Sequence, residues 1–379
     1  MAETVLASAS ERQVWISKYF QEYVRQSRFM PYMTNADLNK GGIILTRFEM
    51  QQEAGRVINI PFIGRLKSAG VTGATVLDGN EEDLTNYDCP ITIDWRRNAV
   101  RVPKSTQFRT EINLLNSARD ALVVWESEKI RDDIIRAMCS IITDTAGTVV
   151  PYESATAANQ NTWVAANSDR VLFGSLKSNY SATYATALGN VATSAKASVA
   201  NVSLAKRIAK LADPRIRPFR ATGGDGREFY VCFHGARTFR DIKADTTMVT
   251  ANTSARARES AGMQDNPIFQ DGDLLYDGVI HREVPEIDDY CANLTMTGGG
   301  ASFTGTGGSS GDIRPIFLCG GGSVGIAWGQ EPTPRSDYLK DYGFRPGVAI
   351  EELLGVKKIN FNGVQNGIVT MFVAAAADS

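Results

Sequence analysis

The chain has 379 residues, 40 of them basic and 42 acidic, for a formal net charge of −2. That length can bury a full core in two or three sub-domains, and the near-neutral charge removes the electrostatic case for sequence-specific DNA binding. Five scattered cysteines, Cys89, Cys139, Cys232, Cys291 and Cys319, show no CxxC spacing, so they read as reduced thiols of a cytoplasmic product rather than a disulfide framework or zinc site. The N-terminus lacks a basic region followed by an apolar run, so no signal peptide is expected. No segment approaches the ~20 apolar residues of a membrane span.

Residues 10–30 carry an apolar stripe, Val14, Ile16, Tyr19, Phe20, Tyr23 and Val24, behind a Ser10/Gln13 capping box, and read as a short helix. Burying such groups is worth ~1.5–3 kcal/mol each, so this arm is expected to dock on its own core or a neighbouring subunit. Trp15 and Phe20 are the candidate contacts. The polar stretch 34–42 follows as a hinge.

From 43 to 103 the pattern is β. Residues 57–63 form one strand, with Pro61 marking an edge. Ile91, Ile93 and Trp95 alternate with Thr92, Asp94 and Arg96 in a second. Between them lies a turn-rich tip, 64–87, holding Gly70, Gly73, Asp78-Gly79-Asn80 and the acids Glu81, Glu82 and Asp83. Such a protruding hairpin has open edges and little local core, so it needs a partner surface.

The central element is 116–142. Ala118, Leu122, Trp125, Ile130, Ile134, Ala137, Met138 and Ile141 fall along one side of a helix, with acids and bases opposite. Ser117 with Asp120 resembles a capping box for its start, and at ~1.5 Å per residue it would span roughly 40 Å. It reads as an amphipathic helix laid on a sheet or hairpin; a coiled coil would want several strict heptads.

The stretch 143–203 is low in charge and reads as a long decorated connection with a little helix around 169–184. A helix over 204–212, capped by Ser203, ends at Asp213-Pro214. Residues 227–233 read as a buried strand and 236–244 as a helix, while 271–282 read as two strand pieces around a turn. Residues 297–311 are a glycine-rich loop with almost nothing to bury. Strands over 313–328, 348–361 and 368–373 close the chain.

Little of this carries chemistry. Gly320-Gly321-Gly322-Ser323-Val324-Gly325 matches GxGxxG, but Gly329, Pro332 and Pro334 follow where a helix should start, so a bend between strands is expected. His234 and His281 sit in no HExxH or Cys/His spacing and read as surface or satisfied core residues. Asp132-Asp133 point apart on a helix and read as solvated; Asp288-Asp289 is the other acid pair. The basic cluster Arg96, Arg97, Arg101, Lys104 and Arg109 reads as one solvated strand face, as a phosphate-facing patch, or as an intersubunit contact for Glu81, Glu82 and Asp83. No catalytic, cofactor or metal residue is expected, and no enzyme.

The order of parts, together with Leu122, Trp125 and Asp132 on the long helix, the Tyr276–Ile280 run YDGVI and Gly355-Val356-Lys357-Lys358, resembles tailed-bacteriophage major capsid proteins of the Hong Kong 97-like fold. More narrowly it is similar to the podovirus-type family that includes phage N-four relatives. The resemblance implies an α+β fold with an N-terminal arm (1–42), an E-loop with flanking strands (43–110), and a spine helix with the peripheral region (111–200). An axial domain with inserted loops (201–347) and C-terminal strands returning to the periphery (348–379) complete it. It further implies self-assembly as pentamers and hexamers into an icosahedral shell around double-stranded DNA, made in the bacterial host cytoplasm and resident in the virion. Scaffold, portal and decoration proteins are the implied partners, with no membrane and no cofactor. Some relatives cross-link an E-loop Lys to an Asn; Lys67 with Asn360 or Asn366 is the pair in question here. A nanocompartment shell enclosing an enzyme cargo shares the resembled fold and stays open as the alternative, with an α/β enzyme behind it.

Overall fold

The computed structural model describes residues 28–34, 42–48, 55–110, 112–220, 228–254, 273–292 and 313–375. The expected N-terminal helix, with Trp15 and Phe20, the greater part of the 34–42 hinge and the 297–311 loop lie outside these residues. The chain forms two compact units. One gathers Trp95–Ile130 and Gln330–Leu353; the other gathers Arg28–Asp94, Arg131–Gly329 and Leu354–Ser379.

The larger unit is built on a mixed sheet. Its strands run Asp273–Tyr276, Val279–Glu283, Glu228–His234, Ile313–Cys319, Ile368–Ala374 and Val171–Phe173 in spatial order, and Phe219–Arg220 pairs with Glu228–His234. Strands buried on both faces need near-continuous apolar runs. Ile313–Cys319 and Ile368–Ala374 are buried at every position. They pair antiparallel from Ile313↔Ala374 to Cys319↔Ile368.

One sheet face is covered by the helix Val199–Leu211, which buries Val199, Val202, Ala205, Ile208 and Ala209 at helical spacing against Tyr230, Leu318 and Met371. This helix begins five residues before the expected start at 204. Its cap is Ser198, whose side chain accepts the Asn201 N–H, and not Ser203. The small Ala200 and polar Asn201 hid the first turn from a reading based on large apolar spacing.

The stretch 143–203 corrects its expectation most. It holds a strand Val149–Pro151, a helix Ala157–Ala166 and a helix Tyr184–Gly189. Where a helix was expected around 169–184, Val171–Phe173 forms a sheet-edge strand parallel to Ile368–Ala374. Trp163, Phe173, Tyr184 and Phe372 make one aromatic cluster, with Phe173 stacked on Phe372 at 5.3 Å. Edge and offset contacts of this kind add ~0.5–1.5 kcal/mol per pair beyond burial. This is core, not decoration.

The long helix runs Leu114–Met138, and 140–142 is a strand. Its start differs from the Ser117/Asp120 capping box: the Asn113 side chain accepts the Asn116 N–H at 3.2 Å, while Ser117 Oγ donates to the Asn113 carbonyl. The amphipathic reading holds at the two ends, where Ala118 and Leu122 and then Ile134, Ala137 and Met138 are buried, but not in the middle, where 124–128 and 130–133 are half-buried on every side. In the smaller unit Ala118 and Leu122 pack on Val348 and Ile350, flanked by Leu115 and Trp125. The strand Gly347–Lys358 lies between Val324–Asp337 and Asp94–Arg101. The strand Val324–Asp337 passes through Pro332 and Pro334, and the Gly320–Gly325 run is a bend between strands, as expected.

Candidate functional site

Two surfaces stand out, one in each unit. The first is the hairpin of the larger unit. Strands Val57–Ile63 and Asn86–Thr92 pair antiparallel from Val57↔Thr92 to Ile63↔Asn86. Alternation turns Ile58, Ile60, Cys89 and Ile91 inward. The base is fixed by a close approach to Gly325, where a Cβ would sit 2.6 Å from the Ile91 Cδ1. The tip end of the strand pair is fixed by Phe62, stacked on Phe361 at 4.5 Å.

Beyond Ile63 the chain has no regular structure until Asn86, and Leu66, Val76, Leu77 and Leu84 stand exposed there. The acids at the tip order the tip itself. Glu82 accepts the Lys67 and Ser68 N–H groups at 2.6 and 2.7 Å, and these bonds, the Lys67 one foremost, hold its carboxyl below the usual range. Glu81 accepts the Gly79 N–H at 2.7 Å. Lys67 forms an ion pair with Asp213, with Arg65 3.9 Å away, and that lysine lowers the Asp213 pKa. Asp83 lines the resulting charged groove of about 260 Å³ with Lys67, Glu82, Asp213 and Asn366.

The second surface belongs to the smaller unit. The basic residues there are not one solvated face, because a strand sends successive side chains to opposite sides. Arg96 turns inward, pairs with the buried Glu352 and lies over the Trp125 ring at 6.0 Å. Arg97 is exposed, near enough to Glu351 to help lower its pKa, after the larger effect of Arg335. Arg101 pairs with Asp337 at 3.3 Å. Lys104 begins the short helix Lys104–Phe108, and its N–H donates to the Phe344 carbonyl. Trp95, read as an inward position of an alternating strand, is exposed because the strand breaks at Ile93 and restarts at Asp94.

The apolar residues of this surface escaped the sequence reading. Phe108, Leu339 and Tyr342 are 93%, 90% and 105% exposed. Tyr342 is held out by a turn in which Asp341, Tyr342 and Gly343 have φ of 54°, 50° and 81°. Left-handed backbone costs roughly 1–2 kcal/mol for each non-glycine residue, so this presentation is bought with strain. The legible signal was large apolar residues isolated among polar and glycine neighbours. His234 and His281 are both buried core residues, 3.0 Å apart, not surface ones. Asp288 is not a solvated acid either. It accepts the Arg237 N–H and forms an ion pair with buried Arg314 at 3.4 Å.

Neither surface has a nucleophile–base pair or a converging proton relay among its described residues. Both have what a protein–protein contact needs: exposed large apolar groups ringed by charge. No helix of the described residues is long and apolar enough to cross a membrane.

Comparison with known proteins agrees with this reading. The family model described as phage capsid protein matches residues 3–374. The chain is 23% identical over 382 residues to the major capsid protein of Pseudomonas phage KPP25, covering 96% of this chain and 95% of that one. Among solved structures it is similar to the capsid asymmetric unit of cyanophage Pam1, with a TM-score of 0.89 and 44% identity over the whole of both chains. The capsid of Ralstonia phage GP4 shares the fold at a TM-score of 0.70 and 19% identity, also over the whole of both chains. With a family model spanning nearly its whole length, this chain belongs to the phage capsid protein family, whose members are structural shell proteins.

Proposed function

We propose that this chain is the repeating subunit of an icosahedral virion shell with the Hong Kong 97-like fold, assembled as pentamers and hexamers around double-stranded DNA. The N-terminal arm, E-loop, spine helix, peripheral region and axial domain are assigned to the boundaries given above, with the hairpin of 57–92 as the E-loop. The observation that carries the reading is the hairpin tip within a full-length capsid match: Leu66, Val76, Leu77 and Leu84 stand in water on an element with no core of its own. Covering them on a neighbouring copy would recover ~1.5–3 kcal/mol per fully buried side chain. A closed shell forms when such heterologous contacts repeat around closed axes.

The charged residues refine the contact. Arg96 is committed to Glu352, and Glu81 and Glu82 to backbone donors of their own loop. In the contact we propose, Asp83 is the acid and Arg97 and Lys104 the cations, with Arg101 shared with Asp337. Scaffold, portal and decoration proteins are proposed partners by family analogy alone, as is assembly in the host cytoplasm. Trp15 and Phe20 remain proposed docking residues. The relatives named above are phage capsids and do not favour a nanocompartment.

Negative-stain electron microscopy of the purified product beside gel filtration is the test. Uniform shells, or rings of five and six, with DNA in filled particles support the proposal. A monodisperse monomer, even beside its natural partners, would overturn it.

A further inference from the structure

The parallel pairing of Glu228–His234 with Val279–Glu283 sets Cys232 opposite His281 and His234 opposite Glu283. Side chains two apart on a strand share a face, so all four point to the same side of the sheet. Three of them converge. One donor atom each from Cys232, His234 and His281 lies within 4.8 Å of the other two, and all three residues are buried. His234 Nε2 and His281 Nδ1 are 3.0 Å apart, and the other His234 nitrogen, Nδ1, is buried without a hydrogen-bond partner.

A core histidine pair has a simpler use: one ring donates, the other accepts. That arrangement gives the thiol no role. We propose that Cys232, His234 and His281 bind a zinc-class transition-metal ion within the sheet. The ion takes the place of the proton shared by the two rings. Both imidazoles bind it through lone pairs, and Cys232 binds as thiolate after its proton is released to solvent.

Tetrahedral zinc, with bonds of ~2.3 Å to sulfur and ~2.0–2.1 Å to nitrogen, sets its donors roughly 3.3–3.8 Å apart; all three lie within 4.8 Å of one another, and the two ring nitrogens, 3.0 Å apart, open by a few tenths of an ångström to admit the ion. Glu283 lies beside His234 in the register but outside this cluster, so the three residues leave the fourth position of the ion to another donor. One thiolate and two imidazoles suit zinc or cobalt and disfavour calcium and magnesium, which require oxygen ligands. The phage-capsid assignment does not enter this argument.

The test uses untagged, purified shells, or the soluble subunit if shells do not form, dialysed against a chelator-free, metal-free buffer and assayed by atomic emission. Roughly one zinc per chain is expected for a site whose donors all come from one chain. Refolding the chain from urea with cobalt alone as probe should give a thiolate-to-cobalt charge-transfer band. Cys232→Ala, which keeps a small apolar group in the core, and His281→Gln should each lose the band and at least nine-tenths of the zinc, with circular dichroism confirming that they fold. Should either variant fail to fold, the wild-type zinc content and cobalt band decide alone. Two results would overturn the proposal: wild-type zinc below a tenth per chain with no cobalt band, or metal retained by both folded variants.

Discussion

The strand Ile368–Ala374 and the hairpin strand Val57–Ile63 have the same length and opposite fates. The first is buried at all seven positions, while the second alternates, with Ile58 and Ile60 buried and Phe62 half-buried on the inward side. The first finds partners on both sides within its own chain. The hairpin strand pairs with Asn86–Thr92 and then hands the chain to a tip with exposed leucines. Stability is therefore written into the sheet and, in the function proposed above, association into the hairpin. A change in one should leave the property of the other intact.

The largest break in that division is Phe372→Ala. Phe372 touches Phe173, Tyr184, Trp163 and Tyr152, and truncating a buried aromatic costs ~3–5 kcal/mol. Urea unfolding should show that loss, and most of the subunit should be insoluble at the temperature of expression. The hairpin counterpart is Leu77→Glu with Leu84→Glu. Urea unfolding should move by less than ~0.5 kcal/mol. The protein concentration needed for shells should rise by more than about tenfold, since ~1.5–3 kcal/mol per side chain is at stake. If the double variant unfolds more readily instead, the tip supports its own subunit and the comparison fails.

A third test sharpens the interior side. Lys358 is fully buried, donates to the Ser140 carbonyl at 2.6 Å and lies 6.0 Å from the Trp163 ring centroid. Burial lowers its pKa from 10.5 to about 8. Between these values the unfolded chain holds the proton and the folded chain releases it, so this group makes stability rise with pH. Below about 8 its buried charge costs the fold in full; above 10.5 the cost is gone. The buried cysteines, whose thiols burial pushes up, act in the opposite sense. The informative quantity is thus wild type minus Lys358→Met, measured by urea unfolding from pH 7.5 to 10.5. That difference should rise with pH, by an amount on the order of 1–3 kcal/mol. A flat difference would place the ammonium in contact with water.

The smallest effect belongs to the tip's ion pair. Lys67 and Asp213 are both more than half exposed, and exposed pairs contribute ~0.2–1 kcal/mol. Lys67→Met should change subunit stability within that range, and the change should vanish in high salt. A larger, salt-resistant loss would mean that the tip is built into its own subunit.

What the sequence made legible is local. The helix Ala236–Ala244 starts and stops where its pattern predicts. The turn between Asp273–Tyr276 and Val279–Glu283 sits on Asp277-Gly278, both left-handed, as an Asp-Gly pair between strands announces. The long helix was read in type and extent, with errors of a few residues at its ends. What stayed illegible depends on distant partners. Arg96 looked solvated because Glu352 lies 256 positions away. Val171–Phe173 is three residues long and becomes a strand only beside Ile368–Ala374. Trp163 and Tyr184 are too far apart in sequence to show any period, although they share one cluster. The convergence of Cys232, His234 and His281 follows from a parallel register across 47 positions, which no spacing rule reports.

All five cysteines are free and buried. Alkylating reagents should therefore ignore the folded subunit and label only chains that have opened, so the rate of thiol capture reads directly as a rate of opening. The native thiols are silent in the closed state. One cysteine introduced at an exposed tip position such as Val76 would then be the sole reactive group, free in the lone subunit and shielded once a neighbour covers it. The same chain thus supplies a chemical clock for its own unfolding and a reporter for its own association.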